Sequence, residues 1–220
     1  SKSLAKITAN AAKGDRTVKV STTTGITSGS WVQLRLRSAD GGLLQKELGP
    51  LYSNRTDWSI TKQPGYESNG TSEDRNGIQV MEFHQVESVG SGEITFYDPI
   101  MSDIDVSIND YNGGWEIREY KHIENVGVED LAFVGGESLL SPYYHHGQGA
   151  DESKGWMYDY AYKPLSIQRA VNSWVRNVTF ESISEAVTFD QSANCSAYNI
   201  RITGKRGHSL RNLPVSLLEK

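Results

Sequence analysis

One short pattern occurs three times between residues 121 and 206 and constrains the fold more than any other feature. Each copy places a turn-forming Asp or Asn just before two apolar residues that are separated by one other residue. The turn positions are Asp130, Asn177 and Asn199, and the apolar pairs are Leu131 and Phe133, Val178 and Phe180, and Ile200 and Ile202. Alternation of this kind after a turn predicts a short β-strand in every copy.

The spacing of the copies predicts a solenoid. Asp130 and Asn177 are 47 residues apart, and Asn177 and Asn199 are 22 residues apart. Repeats of about 20–50 residues are typical of stacked coils. Because 47 is about twice 22, we expect a further coil between the first two copies. Coils of this length without a helical period predict an all-β chain that forms a parallel β-helix.

The rest of the chain predicts a second, β-rich region. Residues 1–114 are expected to form it, with a long loop insertion at 37–78, and residues 115–220 are expected to form the coils. Residues 4–36 alternate as strands do, and Arg35, between Leu34 and Leu36, predicts a solvated face. Residues 79–97 predict a hairpin that turns at Gly90-Ser-Gly92.

Composition limits the partners. The net charge is −5, and an acidic chain argues against nucleic-acid binding. No apolar run approaches the roughly 18 residues that cross a membrane. The single cysteine, Cys195, excludes an intrachain disulfide and is expected to be buried. Nothing caps the coils near Lys220, so the array is expected to continue, in a missing segment or in a second chain that supplies the remainder of the β-helix.

Metal ligands are weakly indicated. Asp103, Asp105 and Asp110 lie within eight residues, but their spacing does not fit an EF-hand loop. His145 and His146 are adjacent, so on a strand they point to opposite sides and do not share an ion. We therefore predict no cofactor and no metal site, with calcium as the open alternative.

Residues 141–164 are rich in aromatic and polar side chains, with five tyrosines, one tryptophan and two histidines. Aromatic faces bind the C–H face of sugars, and charged and amide groups bind their hydroxyls. We predict that this insertion lines a polysaccharide-binding groove, the alternative being that its rings only pack against the coils. The predicted substrate-binding residues are Tyr143, Tyr144, His145, His146, Trp156, Tyr160 and, from the coils, Asp190.

Three stretches resemble a known superfamily. Residues 125–133, 174–180 and 204–209 are similar to the coils of pectate-lyase-like right-handed parallel β-helices. Members are mostly secreted bacterial carbohydrate-active proteins, including polysaccharide lyases, glycoside hydrolases and tailspikes. The resemblance implies a right-handed β-helix that acts on polysaccharide in a secreted, periplasmic or cell-surface location.

The leading hypothesis is β-elimination on an acidic polysaccharide. A lyase needs a base for the proton at C5 and a cation for the carboxylate, and β-helix lyases commonly use Lys or Arg for both. Lys205 is the candidate base and Arg206 the candidate cation, with His208, Tyr158 or Tyr160 as proton donor. Alternatively, Lys205 and Arg206 are ordinary solvent-facing turn charges.

Two other functions stay open. A glycoside hydrolase needs two carboxyl groups about 5–10 Å apart, and the coil region offers Asp151, Asp159, Glu185 and Asp190 without an Asp-Asp pair. A non-catalytic, tailspike-like β-helix would use its aromatic residues only to hold glycan.

Overall fold

The computed structural model describes residues 2–38, 78–108, 114–135, 163–183, 185–204, 211–212 and 218–219. Within these ranges every regular element is a β-strand, so the described structure is all-β. The strands fall into two compact units, Ser1–Tyr120 and Lys121–Lys220. The sequence predicts that the coils begin at residue 115, whereas residues 115–120 belong to the first compact unit of the structure.

The first unit holds one six-stranded sheet. Its strands are β1 (Ser3–Lys6), β2 (Thr17–Lys19), β3 (Trp31–Ser38), β4 (Ile78–Gly90), β5 (Glu93–Phe96) and β6 (Glu116–Glu119). Their order is β1-β6-β3-β4-β5-β2, and all pairs are antiparallel. The predicted hairpin is confirmed as β4 and β5, with Gly92 in the left-handed region at a φ of 69°. Leu34, Ile94 and Phe96 are fully buried in its core.

The prediction of a solvated face on β3 is wrong. Arg35 is only 8% exposed and Gln33 is also buried. Strand β3 lies inside the sheet between β6 and β4, and Arg35 stands directly across from Glu116 in the register. Alternation shows which side chains share a face, but it does not show whether that face is covered.

A buried, hydrogen-bonded pair of polar side chains, Glu82 and His84, lies on the apolar side of the same sheet. Glu82 stands across from Leu34 and is 3% exposed, and His84 stacks on Phe96 with ring centroids 4.6 Å apart. His84 Nε2 lies 2.9 Å from Glu82 Oε2, which also accepts the backbone N–H of Met101 at 2.9 Å. Burial raises the pKa of Glu82, but these hydrogen bonds, another from Ser102 and the charge of His84 outweigh it, so the pKa lies below its usual value.

The lowered pKa predicts acid sensitivity. A carboxyl group with a depressed folded-state pKa stabilises the fold above its unfolded-state pKa, and this contribution is lost as the pH falls through the folded-state value. We expect the free energy of unfolding to fall below about pH 4.5 and to fall less steeply in Glu82→Gln. Urea denaturation at pH 7 and in the acid range measures this. Glu87→Gln, an exposed change on the same strand, is the control, and equal slopes in both variants would contradict the assignment.

The second unit consists of parallel strands. They are β7 (Ile123–Glu124), β8 (Gly127–Val134), β9 (Leu165–Gln168), β10 (Ala170–Val171), β11 (Trp174–Glu181), β12 (Val187–Asp190), β13 (Cys195–Thr203), β14 (Arg211–Asn212) and β15 (Leu218–Glu219). They form three sheets with the orders β15-β13-β11-β8, β14-β12-β9 and β10-β7. From β7 to β12 the chain passes through the three sheets twice in the same order, and each strand pairs in parallel with its counterpart one turn later, so the second turn stacks on the first.

The register corrects the expected extra coil. Strand β11 pairs directly with β8, from Trp174 opposite Gly127 to Glu181 opposite Val134, so no coil lies between the first two copies. Thirty residues, 135–164, separate β8 from β9, whereas five residues, 182–186, separate β11 from β12. This difference of 25 accounts for the excess of 47 over 22. The longer offset is therefore an insertion within one coil.

Left-handed residues recur at the same positions in each coil and explain the repeat. Asp130, Asn177 and Asn199 all have φ between 52° and 58°. Two further pairs of equivalent residues have φ between 49° and 52°: Arg169 with Gln191, and Asn172 with Asn194. Asn and Asp tolerate this conformation better than other residues with a Cβ. Their side chains also bond from coil to coil, with Asn177 Nδ2 donating to Asp130 at 2.9 Å and Asn199 Nδ2 to Asn177 at 2.7 Å.

Equivalent apolar residues stack inside the coils. Val175, Val178 and Phe180 are fully buried, and Phe180 stacks on Phe133 with ring centroids 5.4 Å apart. Cys195 is fully buried, as predicted, and burial raises the pKa of its thiol. Across the described ranges, the structure has no helix long and apolar enough to span a membrane.

Candidate functional site

Most of the predicted site residues lie outside the described part of the chain. These are Tyr143, Tyr144, His145, His146, Trp156, Tyr158, Tyr160, Lys205, Arg206 and His208. Their roles stay predictions. The described structure nevertheless forms a separate pocket on the outer face of the coils.

The described carboxylates of the hydrolase hypothesis, Asp190 and Glu185, lie away from the strands that carry this pocket, at the end of β12 and just before it. Asp190 ends β12, which pairs with β9 and β14 and not with the strands of the pocket. Glu185 is 5% exposed, and Lys163 Nζ donates to it at 2.9 Å. A buried carboxylate that is held by a lysine is poorly placed to meet a sugar.

Two of the three aspartates considered for calcium are hydrogen-bonded within the first unit, and Asp110 lies outside the described residues. Asp103 accepts the backbone N–H of Lys13 at 2.8 Å, and Asp105 accepts the hydroxyl of Ser107 at 2.6 Å. Among the described residues, no three His, Cys, Asp or Glu side chains group together as metal ligands would.

The pocket arises from two rows of outward side chains. Strands β8, β11 and β13 are in register, so Val128, Val175 and Ala197 stack at one inward position. Because strand side chains alternate, the flanking positions point outward. The outward rows are Gly127, Trp174 and Ser196, and Glu129, Arg176 and Tyr198.

Gly127 determines where the indole of Trp174 lies. A Cβ at residue 127 would stand 2.3 Å from Cε2 of Trp174, so the indole lies over the glycine of the neighbouring coil. Its Nε1 donates to Glu129 Oε2 at 3.2 Å. On the other side, the short side chain of Ser196 leaves the surface open. The hollow thus results from a glycine and a serine on either side of a tryptophan.

Arg176 is held beside this hollow. Its Nε meets Glu129 Oε2, the same oxygen that accepts the indole N–H. Hydrogen bonding to Glu129 and its negative charge, with a smaller effect from Tyr198, raise the pKa of Arg176 above its usual value. The guanidinium is therefore positive at every working pH, and 43% of the side chain is exposed.

Asparagines at equivalent corners of two turns, Asn172 before β11 and Asn194 before β13, form the other edge. Asn172 Nδ2 donates to Glu124 at 2.8 Å, and Asn194 Nδ2 donates in turn to Asn172 Oδ1. Both residues have positive φ, at 51°. The amides are fixed by the coil-to-coil ladder, so this edge is preorganised.

The resulting pocket has a volume of about 590 Å³. Seven described residues line it: Asn172, Ser173, Trp174, Arg176, Asn194, Ser196 and Tyr198. Tyr198 is 56% exposed. Two aromatic rings, amides, hydroxyls and one guanidinium therefore meet on an open surface.

The sequence contained the signal for this pocket, but our prediction did not use it. Our interpretation of the sequence treats Trp174 and Tyr198 only as members of the repeated pattern and gives them no binding role. Aligning the copies shows Gly, Trp and Ser at one outward position and Glu, Arg and Tyr at the next. These two outward positions, which flank one inward position, hold different residues in each coil. Such variation indicates a local site, because a purely structural position tends to hold similar residues.

Comparisons with known proteins give structural similarity only. No protein-family model matches the chain, and no curated protein matches its sequence. Three similar solved structures are tailspikes: gp49 of Pseudomonas phage LKA1 (11% identity, TM-score 0.47), gp61 of Pseudomonas phage phi297 (14%, 0.48) and Gp54 of Acinetobacter baumannii bacteriophage AP22, solved with an A. baumannii capsular saccharide (10%, 0.45). The alignments cover 90%, 97% and 92% of this chain and 24%, 32% and 31% of those chains, respectively. The chain thus spans about a quarter to a third of their length.

Proposed function

We propose that residues 121–220 form a right-handed parallel β-helix whose outer face binds a polysaccharide. The observation that carries this proposal is the pocket between Trp174 and Tyr198. Its rings offer faces for the C–H groups of a sugar, and Asn194, Ser196 and Arg176 offer polar groups for its hydroxyls. Stacked coils give such a pocket a long neighbouring surface along which a chain of sugars can extend.

Binding suits the pocket better than cleavage does. Of its seven described lining residues, none is a carboxylate or a histidine, the groups that most often act as general acid or base near pH 7. Arg176 and Tyr198 are of residue types considered above for elimination, but the Nε of Arg176 is paired with Glu129. The nearby carboxylate of Glu129 already accepts the indole N–H of Trp174 and pairs with Arg176. A non-catalytic or substrate-holding role therefore fits the described geometry.

Cleavage of the bound chain elsewhere remains part of the proposal. Lys205, Arg206, His208 and Tyr158 stay the candidates for β-elimination on an acidic polysaccharide, with a glycoside hydrolase as the alternative. Elimination leaves unsaturated sugar ends that absorb ultraviolet light, whereas hydrolysis gives new reducing ends without that absorbance. We also keep a calcium requirement open, and propose a secreted, periplasmic or cell-surface location.

Tyr198→Ala tests the binding site. Removal of one stacking ring from an exposed site is expected to weaken polysaccharide binding about tenfold, the loss of roughly 1.4 kcal/mol. Isothermal titration of the full chain with the best ligand from a panel of bacterial and plant polysaccharides measures the change. Tyr97→Ala is the matched control, because Tyr97 is 47% exposed in the first unit. Equal affinity in the two variants, or binding to no polysaccharide, would count against the proposed function.

A further inference from the structure

The charge around the pocket is compensated. Arg176 is the charged residue among the seven that line it, and its Nε pairs with Glu129. Glu124 adds a second negative charge at the asparagine edge, where it accepts Asn172 Nδ2 at 2.8 Å. These three groups together carry a net charge of −1. An anionic ligand would therefore gain little from Arg176 and would be repelled by the two carboxylates.

The hydrogen-bonding groups point the same way. The amide nitrogens of Asn172 and Asn194 each donate one of their two N–H groups, to Glu124 and to Asn172. Asn194 Oδ1 adds an acceptor, so this edge of the pocket offers acceptors as well as donors. The hydroxyls of Ser196 and Tyr198 both donate and accept. A sugar hydroxyl can donate to Asn194 Oδ1, whereas a carboxylate cannot.

We infer that the sugar ring bound between Trp174 and Tyr198 is an uncharged pyranose recognised through its hydroxyls, and that Glu129 sets this preference. The inference rests on the proposed glycan-binding function and deepens it. Glu129 acts in two ways: one oxygen positions the indole of Trp174, and its charge cancels that of Arg176. Acidic sugars elsewhere along a heteropolymer remain compatible with this preference, which concerns the ring in the pocket.

Glu129→Gln separates these two effects. The amide oxygen of glutamine can still accept the indole N–H, but it no longer neutralises the guanidinium. Arg176 would then lose its neutralising partner, the net charge of the three groups would rise from −1 to 0, and charge-assisted hydrogen bonds to a carboxylate are roughly twice as strong as neutral ones. We expect the ratio of acidic to neutral ligand affinity to rise about tenfold. Glu181→Gln is the charge-matched control, since Glu181 is exposed at the far end of β11, the strand that carries Arg176.

The experiment uses the full chain and a matched set of probes. These are uronic-acid oligosaccharides, the same oligosaccharides after chemical reduction of their carboxyl groups to alcohols, and neutral gluco-, galacto- and manno-oligosaccharides. Wild type is expected to bind at least one neutral or reduced probe, and to bind each reduced form at least as tightly as its acidic parent. Glu129→Gln is expected to shift that preference toward the acidic form, and Glu181→Gln is not.

The outcomes are distinguishable. Preferential binding of the acidic forms by wild type, or an unchanged ratio in Glu129→Gln, overturns the inference while polysaccharide binding stands. Binding of neutral probes that Tyr198→Ala does not weaken overturns the placement in this pocket. Failure to bind any probe removes the proposed function, and the inference with it.

Discussion

Phe180→Ala is expected to lower the free energy of unfolding of the second unit by about 3–5 kcal/mol, the usual cost of emptying a buried aromatic site. Phe180 is fully buried in β11 and stands in register with Phe133 on one side and Ile202 on the other. Its ring stacks on Phe133 at 5.4 Å. The cavity would therefore loosen the packing between three successive coils.

Because whole domains are stable by only about 5–15 kcal/mol, such a loss should be readily measurable. Hydrogen exchange across β11 and β13, followed by mass spectrometry, measures the second unit separately from the first. The neighbouring Thr179→Ala, which changes a half-buried residue on the opposite face of the strand, is expected to cost less than about 1 kcal/mol. A similar small loss for Phe180→Ala would show that the coils are not packed around these stacked rings.

Gly127→Ala is expected to weaken glycan binding at least tenfold while changing stability by less than about 1 kcal/mol. The new Cβ would collide with the indole of Trp174 at 2.3 Å. The indole is a side chain and can move, so the fold tolerates the change. In moving, it loses the bond to Glu129 and turns toward the open space over Ser196.

The two readouts of Gly127→Ala are independent. Ligand titration measures the pocket. The difference in tryptophan emission between Gly127→Ala and wild type, in which the other four tryptophans are unchanged, reports on the indole of Trp174 even without ligand. Gly90→Ala provides the control, since its Cβ would meet only the flexible end of Glu93 at the tip of the first unit's hairpin. Unchanged affinity and unchanged emission in Gly127→Ala would mean that this glycine does not position the tryptophan.

The strands of both units could be predicted because their signals are local. Asn177 and Asn199 recur 22 residues apart because the same corner of each coil needs a left-handed residue, and Val178 and Phe180 follow because the next strand alternates. The hairpin of β4 and β5 was evident for the same reason. Each of these features depends on residues within one turn of the chain.

The features that sequence did not predict depend on neighbours in space. An offset of 47 fits a further coil or an insertion equally well, and only the direct pairing of β11 with β8 distinguishes them. Burial of Arg35 depends on what covers its face of the sheet. The pocket depends on Gly127 in β8 and Ser196 in β13. These residues flank Trp174 only because β8 and β13 pair in register with β11.

The most direct test of the central claim is a crystal structure of the chain with a bound oligosaccharide, taken from whichever polymer binds in titration. The account predicts one pyranose ring over Ser196, flanked by Trp174 and Tyr198, with hydroxyls within hydrogen-bond distance of Asn194 and Arg176. Sugar density confined to other surfaces, with this pocket filled only by solvent, would contradict it.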